Sequence, residues 1–135
     1  MKLTPFPFTV AAMIAVGFPE IQWDYIRFPD SPPEHLERAD FSNSEGKTKS
    51  EAVSGFLDHV KEQAEGKEVT ITADVFGATT SLNYDLGIGQ LWEEVVGRVD
   101  VVLPMVYPSH YWSGSFNIDE PNHHPYEVVK AALRD

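Results

Sequence analysis

Two kinds of apolar pattern alternate along this chain. Short runs that are nearly all apolar or β-branched, over residues 20–28, 68–76 and 99–106, predict strands covered on both faces. Between the first two, Ala52, Val53, Phe56, Leu57, Val60 and Ala64 recur with helical period. Thr48 and Glu51 stand ahead of them at capping-box spacing, and Gly66 follows as a stop. A shorter helix is predicted over 89–96 from Leu91, Trp92, Val95 and Val96. A last one starts at Pro125, a favoured first helical position, and carries Tyr126, Val129, Ala132 and Leu133.

The start of the chain has two competing readings. Lys2 and the run around Val10-Ala11-Ala12-Met13-Ile14-Ala15-Val16 have the form of a short export signal. The alternative is a helix stopped at Gly17 that feeds straight into the first strand. Either way the run falls short of the roughly 20 apolar residues of a membrane span. Residues 30–50 are polar and proline-rich, and predict a long loop.

Strands alternating with helices imply right-handed crossovers and a parallel sheet, an α/β fold. The strand spacing is close to the roughly 31 residues per unit of a (β/α)8 barrel. Three strands cannot close one, so the expected architecture is a segment of a larger TIM barrel, a single partial domain over 1–135. A compact three-stranded α/β domain is the rival. Pro104 inside the third strand is awkward for a central strand and predicts a bulge or the strand's end. The Gly-rich first turn of a dinucleotide-binding sheet is missing, and Gly87 and Gly89 form only a fragment of a phosphate loop.

Charge narrows the choice of partners. A formal net charge of -11 argues against nucleic acid and anionic membranes, and fits a neutral or cationic ligand. Cysteine is absent, which excludes disulfides and thiolate metal sites.

Chemistry concentrates at the predicted strand ends. Asp24 and Asp74 each lie near the C-terminal end of an apolar run, where an unpaired carboxylate is costly to bury. In a parallel barrel those ends line one mouth, which would gather Asp24, Asp74, Arg27, Tyr107 and His110, with Trp23, Tyr25, Tyr111 and Trp112 nearby. Strand alternation would place Gln22, Asp24 and Ile26 on one face and Thr72 with Asp74 on the matching one. Two carboxylates facing one cleft suit glycosidic-bond hydrolysis, with one protonating the leaving oxygen and one acting as base or nucleophile.

Plainer roles compete with each of these. Asp24 could be a structural ion pair with Arg27 or Arg38, Asp74 an acceptor for the following loop, and Arg27 a neutraliser of neighbouring acids. Trp23, Tyr25 and Trp92 fit packing roles. His110, His123 and His124 could join the aspartates as metal ligands, but no metal-binding spacing is present and loop histidines are the plainer reading.

Four motifs carry a family resemblance: Gln22-Trp23-Asp24-Tyr25-Ile26-Arg27-Phe28-Pro29, Thr72-Ala73-Asp74-Val75-Phe76-Gly77, Asp85-Leu86-Gly87-Ile88-Gly89-Gln90 and Pro104-Met105-Val106-Tyr107-Pro108-Ser109-His110-Tyr111. They resemble a bacterial glycoside-hydrolase family, formerly a domain of unknown function, whose TIM barrel is related to the α-amylase and chitinase-like barrels. The segment Pro121-Asn122 with His124-Pro125-Tyr126-Glu127-Val128-Val129 resembles the same family's next stretch.

The resemblance equates the three strands with barrel strands 4–6. It implies Asp24 and Asp74 as candidate catalytic acids, with Tyr107 and His110 as substrate contacts; Gln22, Arg27, Tyr111 and Trp112 are the further expected contacts to a carbohydrate substrate at the same strand ends. It implies no cofactor and no metal, and suggests an extracytoplasmic or cell-envelope location. The flanking strands of the barrel are then expected outside this segment, and part of the catalytic machinery with them. A carbohydrate-binding barrel without catalysis and a metal-dependent hydrolase are the alternatives.

Overall fold

The structure is a computed structural model that describes residues 6–31, 33–36 and 46–134. Arg38 and, within the predicted long loop, residues 32 and 37–45 lie outside the described residues. Three strands, β1 (Glu20–Trp23), β2 (Thr70–Phe76) and β3 (Val101–Met105), form one parallel sheet in sequential order. Helices α1 (Phe6–Ala15), α2 (Pro33–Leu36), α3 (Lys49–Ala64), α4 (Trp92–Val96) and α5 (Pro125–Ala132) alternate with them as expected for an α/β chain. Among the described residues no helix is long and apolar enough to cross a membrane.

Local chemistry accounts for the helix ends. At the start of α3 the Thr48 N–H donates to Glu51 Oε2 at 2.7 Å and the Glu51 N–H donates to Thr48 Oγ1 at 3.2 Å, the reciprocal box the sequence predicts. The Thr48 N–H and the Thr48 hydroxyl, both donating to Glu51 Oε2, hold the Glu51 carboxyl below its ordinary 4.5. α1 stops at a left-handed Gly17 (φ 83°), where the Gly17 N–H reaches Ile14 O and the Phe18 N–H reaches Met13 O. That pair of bonds is the Schellman arrangement, and it turns the chain directly into β1.

The helices cover one face of the sheet. Ile21 and Ile71 pack with Val10 and Val60, while Ala73 and Val75 pack with Val53, Leu57 and Val95. Both crossovers, through α3 and through α4, therefore lie on the same side. The opposite face carries Glu20, Gln22, Thr72, Asp74, Val101, Leu103 and Met105, and Val101 is 44% exposed there. Pro104 sits within β3 opposite Val75. β3 is an edge strand among the described residues, so the missing N–H interrupts no ladder on its outer side.

The first strand is shorter than its apolar run. β1 ends at Trp23, and Tyr25 adopts a left-handed conformation (φ 57°). That turn resets the expected alternation. Ile26, which the sequence places on the Gln22 face, packs instead against the core beneath the sheet. Tyr25, expected to pack, is 61% exposed. Trp23 and Trp92 do pack, Trp23 edge-on to Phe56 with ring centroids 5.0 Å apart.

Candidate active site

The register decides what meets at the strand ends. Gln22 pairs with Thr72 and Trp23 with Ala73, the last pair of the ladder, so Asp24 follows directly where β1 ends and Asp74 lies one residue further along β2. Asp74 is 9% exposed, on the sheet face not covered by helices. Its carboxylate accepts two hydrogen bonds from Gln22 Nε2, at 2.8 and 3.0 Å. Gln22 thus gives its amide to the acid, fixing the direction in which that carboxylate points.

Asp24 is exposed, and its Oδ1 accepts the Tyr25 N–H at 2.7 Å, a bond that steadies the left-handed turn. Among the described residues neither aspartate forms an ion pair. Arg27 lies instead with its guanidinium 4.4 Å above the Tyr25 ring, bonded weakly to Phe28 O at 3.4 Å.

Where β1 leaves the sheet, β2 has backbone groups to satisfy, and Gln90 supplies them. This side chain is 1% exposed. Its Oε1 accepts the Phe76 N–H at 2.9 Å, while Nε2 donates to Asp74 O at 3.3 Å and Ile26 O at 3.4 Å. One amide therefore takes the place of the missing strand pairing between residues 24–26 and 74–76. The segment that delivers it is tightly seated: Phe28 N–H donates to Ile88 O at 2.8 Å, and Lys49 Nζ to Gly87 O at 2.6 Å. A side chain at Gly89 (φ 84°) would stand 2.7 Å from Lys49 O. The helix expected from residue 89 accordingly begins only at Trp92, because Gly89 and Gln90 serve the sheet.

A cleft of about 900 Å³ opens at the end of β2, lined by Arg27, Asp30, Phe76 and residues of the segments after β2 and β3. Phe76, two residues beyond Asp74, stacks on His110 with centroids 5.4 Å apart and planes 10° from parallel. Tyr107 meets the other flank of that imidazole edge-on at 5.2 Å. Tyr111 and Trp112 line the cleft further out, and burial pushes the Tyr111 phenol above its ordinary 10.0. Neither Asp24 nor Asp74 lines the cleft, nor do Gln22 and Tyr107. Of the candidate contacts, Arg27, His110, Tyr111 and Trp112 do.

His123 bonds to Glu120 at 3.0 Å, on the surface. No three His, Asp or Glu side chains gather to hold a metal ion among the described residues. Sequence reasoning missed Gln90, Phe76 and Asp30 as parts of this rim. Gln90 sits in the Asp85–Gln90 motif, where a polar residue between apolar neighbours was the available signal.

Compared with known families, residues 5–135 match the one described as "Putative glycosyl hydrolase domain". No curated protein and no solved structure matches the chain.

Proposed function

From a chain that belongs to the putative glycosyl hydrolase domain family, we propose an enzyme that cleaves a glycosidic bond with Asp24 and Asp74 as its two carboxyl groups. One protonates the leaving oxygen, and the other acts at the anomeric carbon, directly or through water. The observation that carries this reading is the position of both acids at the C-terminal ends of neighbouring parallel strands. Asp24 follows the last residue of β1 and Asp74 lies near the end of β2; among the described residues neither has an ion-pair partner, Asp74 is held by Gln22, and an aromatic cleft opens at the end of β2. Sugar rings offer apolar C–H faces that stack on such aromatic side chains.

The wider architecture of the proposal is a segment of a (β/α)8 barrel. Sequential parallel strands with both crossovers on one face support it, because a doubly wound sheet reverses its strand order and places helices on both faces. In a barrel the face carrying Gln22, Thr72 and Asp74 points inward. Thr72 Oγ1 is buried there without a hydrogen-bond partner among the described residues, as a group awaiting a neighbour from another strand would be.

The test is turnover by Asp24→Asn and Asp74→Asn variants on a soluble oligosaccharide panel, with circular dichroism to follow the fold. Each change should cut turnover at least about 100-fold while the spectrum is retained. Wild-type turnover in both variants refutes the assignment. One observation favours a second reading, a sugar-binding module without catalysis: neither carboxylate lines the cleft. That module would bind glycan unchanged after both substitutions and show no turnover before them.

A further inference from the structure

Two carboxyl groups share the proposed reaction, and their hydrogen bonds differ. Gln22 Nε2 lies 2.8 Å from one oxygen of Asp74 and 3.0 Å from the other. A donor nearly equidistant from both oxygens matches an anion, which has two acceptors and no hydrogen to set against the N–H groups. A protonated carboxyl would be better met by the carbonyl end of the same amide. Asp74 is buried and forms no ion pair among the described residues, so this neutral amide stands in for water at its carboxylate. The neighbouring strands bring no cation: Glu20 and Asp24 flank Gln22 two residues to either side, and β3 sets Val101, Leu103 and Met105 beside Thr72, Asp74 and Phe76.

Asp24 is placed otherwise. One oxygen accepts the Tyr25 N–H at 2.7 Å, and among the described residues the other accepts nothing. The residue is exposed, so water can return a proton to it after each turnover.

We propose that Asp74 is the anion of the pair, acting as nucleophile or base with Gln22 as its positioning residue, and that Asp24 is the proton donor. This rests on the hydrolase reading and divides its two roles. The bond from the anomeric carbon to the leaving oxygen breaks, and that oxygen takes the Asp24 proton. The electron pair that replaces it comes from Asp74 itself, or from a water whose proton Asp74 accepts. In the first case a second step follows, in which water displaces Asp74 and gives its proton to the Asp24 carboxylate. In the second, Asp74 loses its proton to solvent and Asp24 regains one. Gln22 keeps a donor on the Asp74 oxygen that does not react.

The experiment gives the full chain pairs of α- and β-glucosides, xylosides, mannosides and N-acetylglucosaminides that differ in the leaving group. Dinitrophenol leaves without a proton, and phenol needs one. Asp24→Asn should lower kcat/KM at least about 100-fold on the phenyl glycoside and under about tenfold on the dinitrophenyl one. Asp74→Asn should lower both at least about 100-fold. Gln22→Met should lower kcat about tenfold with KM nearly unchanged, and move the acid limb of the profile to higher pH, because the anion loses its donor. Gln22→Glu should restore kcat only on the acid side, where the pair shares a proton. Its stability in urea, relative to the unmodified chain, should fall as pH rises from about 4 to 7, because two carboxylates then stand within hydrogen-bond reach.

Loss of the dinitrophenyl reaction in Asp24→Asn, with its retention in Asp74→Asn, overturns the proposal while the hydrolase stands. An unchanged kcat in Gln22→Met, or a Gln22→Glu stability that follows the unmodified chain across pH, overturns the positioning role. Absence of turnover on every glycoside sinks the hydrolase and the two roles together, and the pH course of Gln22→Glu stability still decides whether Gln22 holds the anion.

Discussion

Replacing Gln90 by methionine tests whether one buried amide holds the rim together. The substitution nearly conserves volume, so it removes polar atoms without opening a large cavity. It leaves the Phe76 N–H without its 2.9 Å acceptor, and the Asp74 and Ile26 carbonyls without donors at 3.3 and 3.4 Å. A buried backbone group left unpaired costs about 1–3 kcal/mol, and the two long bonds belong at the low end. The sum is about 3–5 kcal/mol, a large share of the roughly 5–15 kcal/mol that holds a domain folded. Urea unfolding followed by tryptophan fluorescence measures it, and slopes of about 1–3 kcal/mol per molar put the midpoint shift on the order of 2 M. Gln90→Glu separates the two ends of the amide. Its carboxylate still accepts from Phe76 but turns an anion toward two carbonyls, so burial and repulsion raise its folded pKa. That variant should therefore gain stability relative to wild type as pH falls and the group becomes a donor. A loss under about 1 kcal/mol for Gln90→Met would refute the reasoning, because it would mean water replaces the amide at no cost.

Glycine substitutions in the same segment separate strain from collision. Gly87→Ala meets open space at φ 69° and should cost about 1–2 kcal/mol, whereas Gly89→Ala adds a contact 2.7 Å from Lys49 O and should cost clearly more in the same urea assay. Equal losses would dismiss the close approach. The capping box predicts a pH dependence. Because the folded Glu51 pKa is lowered by its Thr48 bonds, its contribution is present above the unfolded value of 4.5 and disappears as pH falls through the lower folded one. Glu51→Ala should flatten the fall in α3 stability between about pH 6 and pH 3; an undiminished fall would assign acid sensitivity elsewhere.

Much of this architecture is legible in the sequence because the signals are local. Thr48 and Glu51 announce the start of α3 through chemistry contained in four residues, and Gly17 marks the end of α1 through a conformation that other residues avoid. The three strands and their parallel order follow from apolar runs separated by helical periodicity. The end of β1 is not of this kind. Residues 24–28 read as a continuation of the strand, and nothing adjacent in sequence forbids it. Where the strand ends, Gln90, 64 residues beyond Ile26 in sequence, satisfies β2 with its amide in place of the β1 backbone.

That substitution of amide for strand also bears on the site. Had β1 run on through Phe28, strand alternation would have turned Ile26 onto the Gln22 face, where Asp74 already stands. The left-handed turn at Tyr25 instead sends Ile26 into the core and leaves Arg27 over the Tyr25 ring, facing the cleft. Gln22 and Gln90 then divide the work on Asp74, one holding its carboxylate and the other its backbone carbonyl. Loss of the Gln22 amide should therefore affect chemistry with little effect on folding, since among the described residues that amide bonds to the acid alone and its own position is exposed. Loss of the Gln90 amide should affect both. If Gln22→Ala proved as destabilising as Gln90→Met in urea, this division between a group that aims the carboxylate and a group that builds its strand would be wrong.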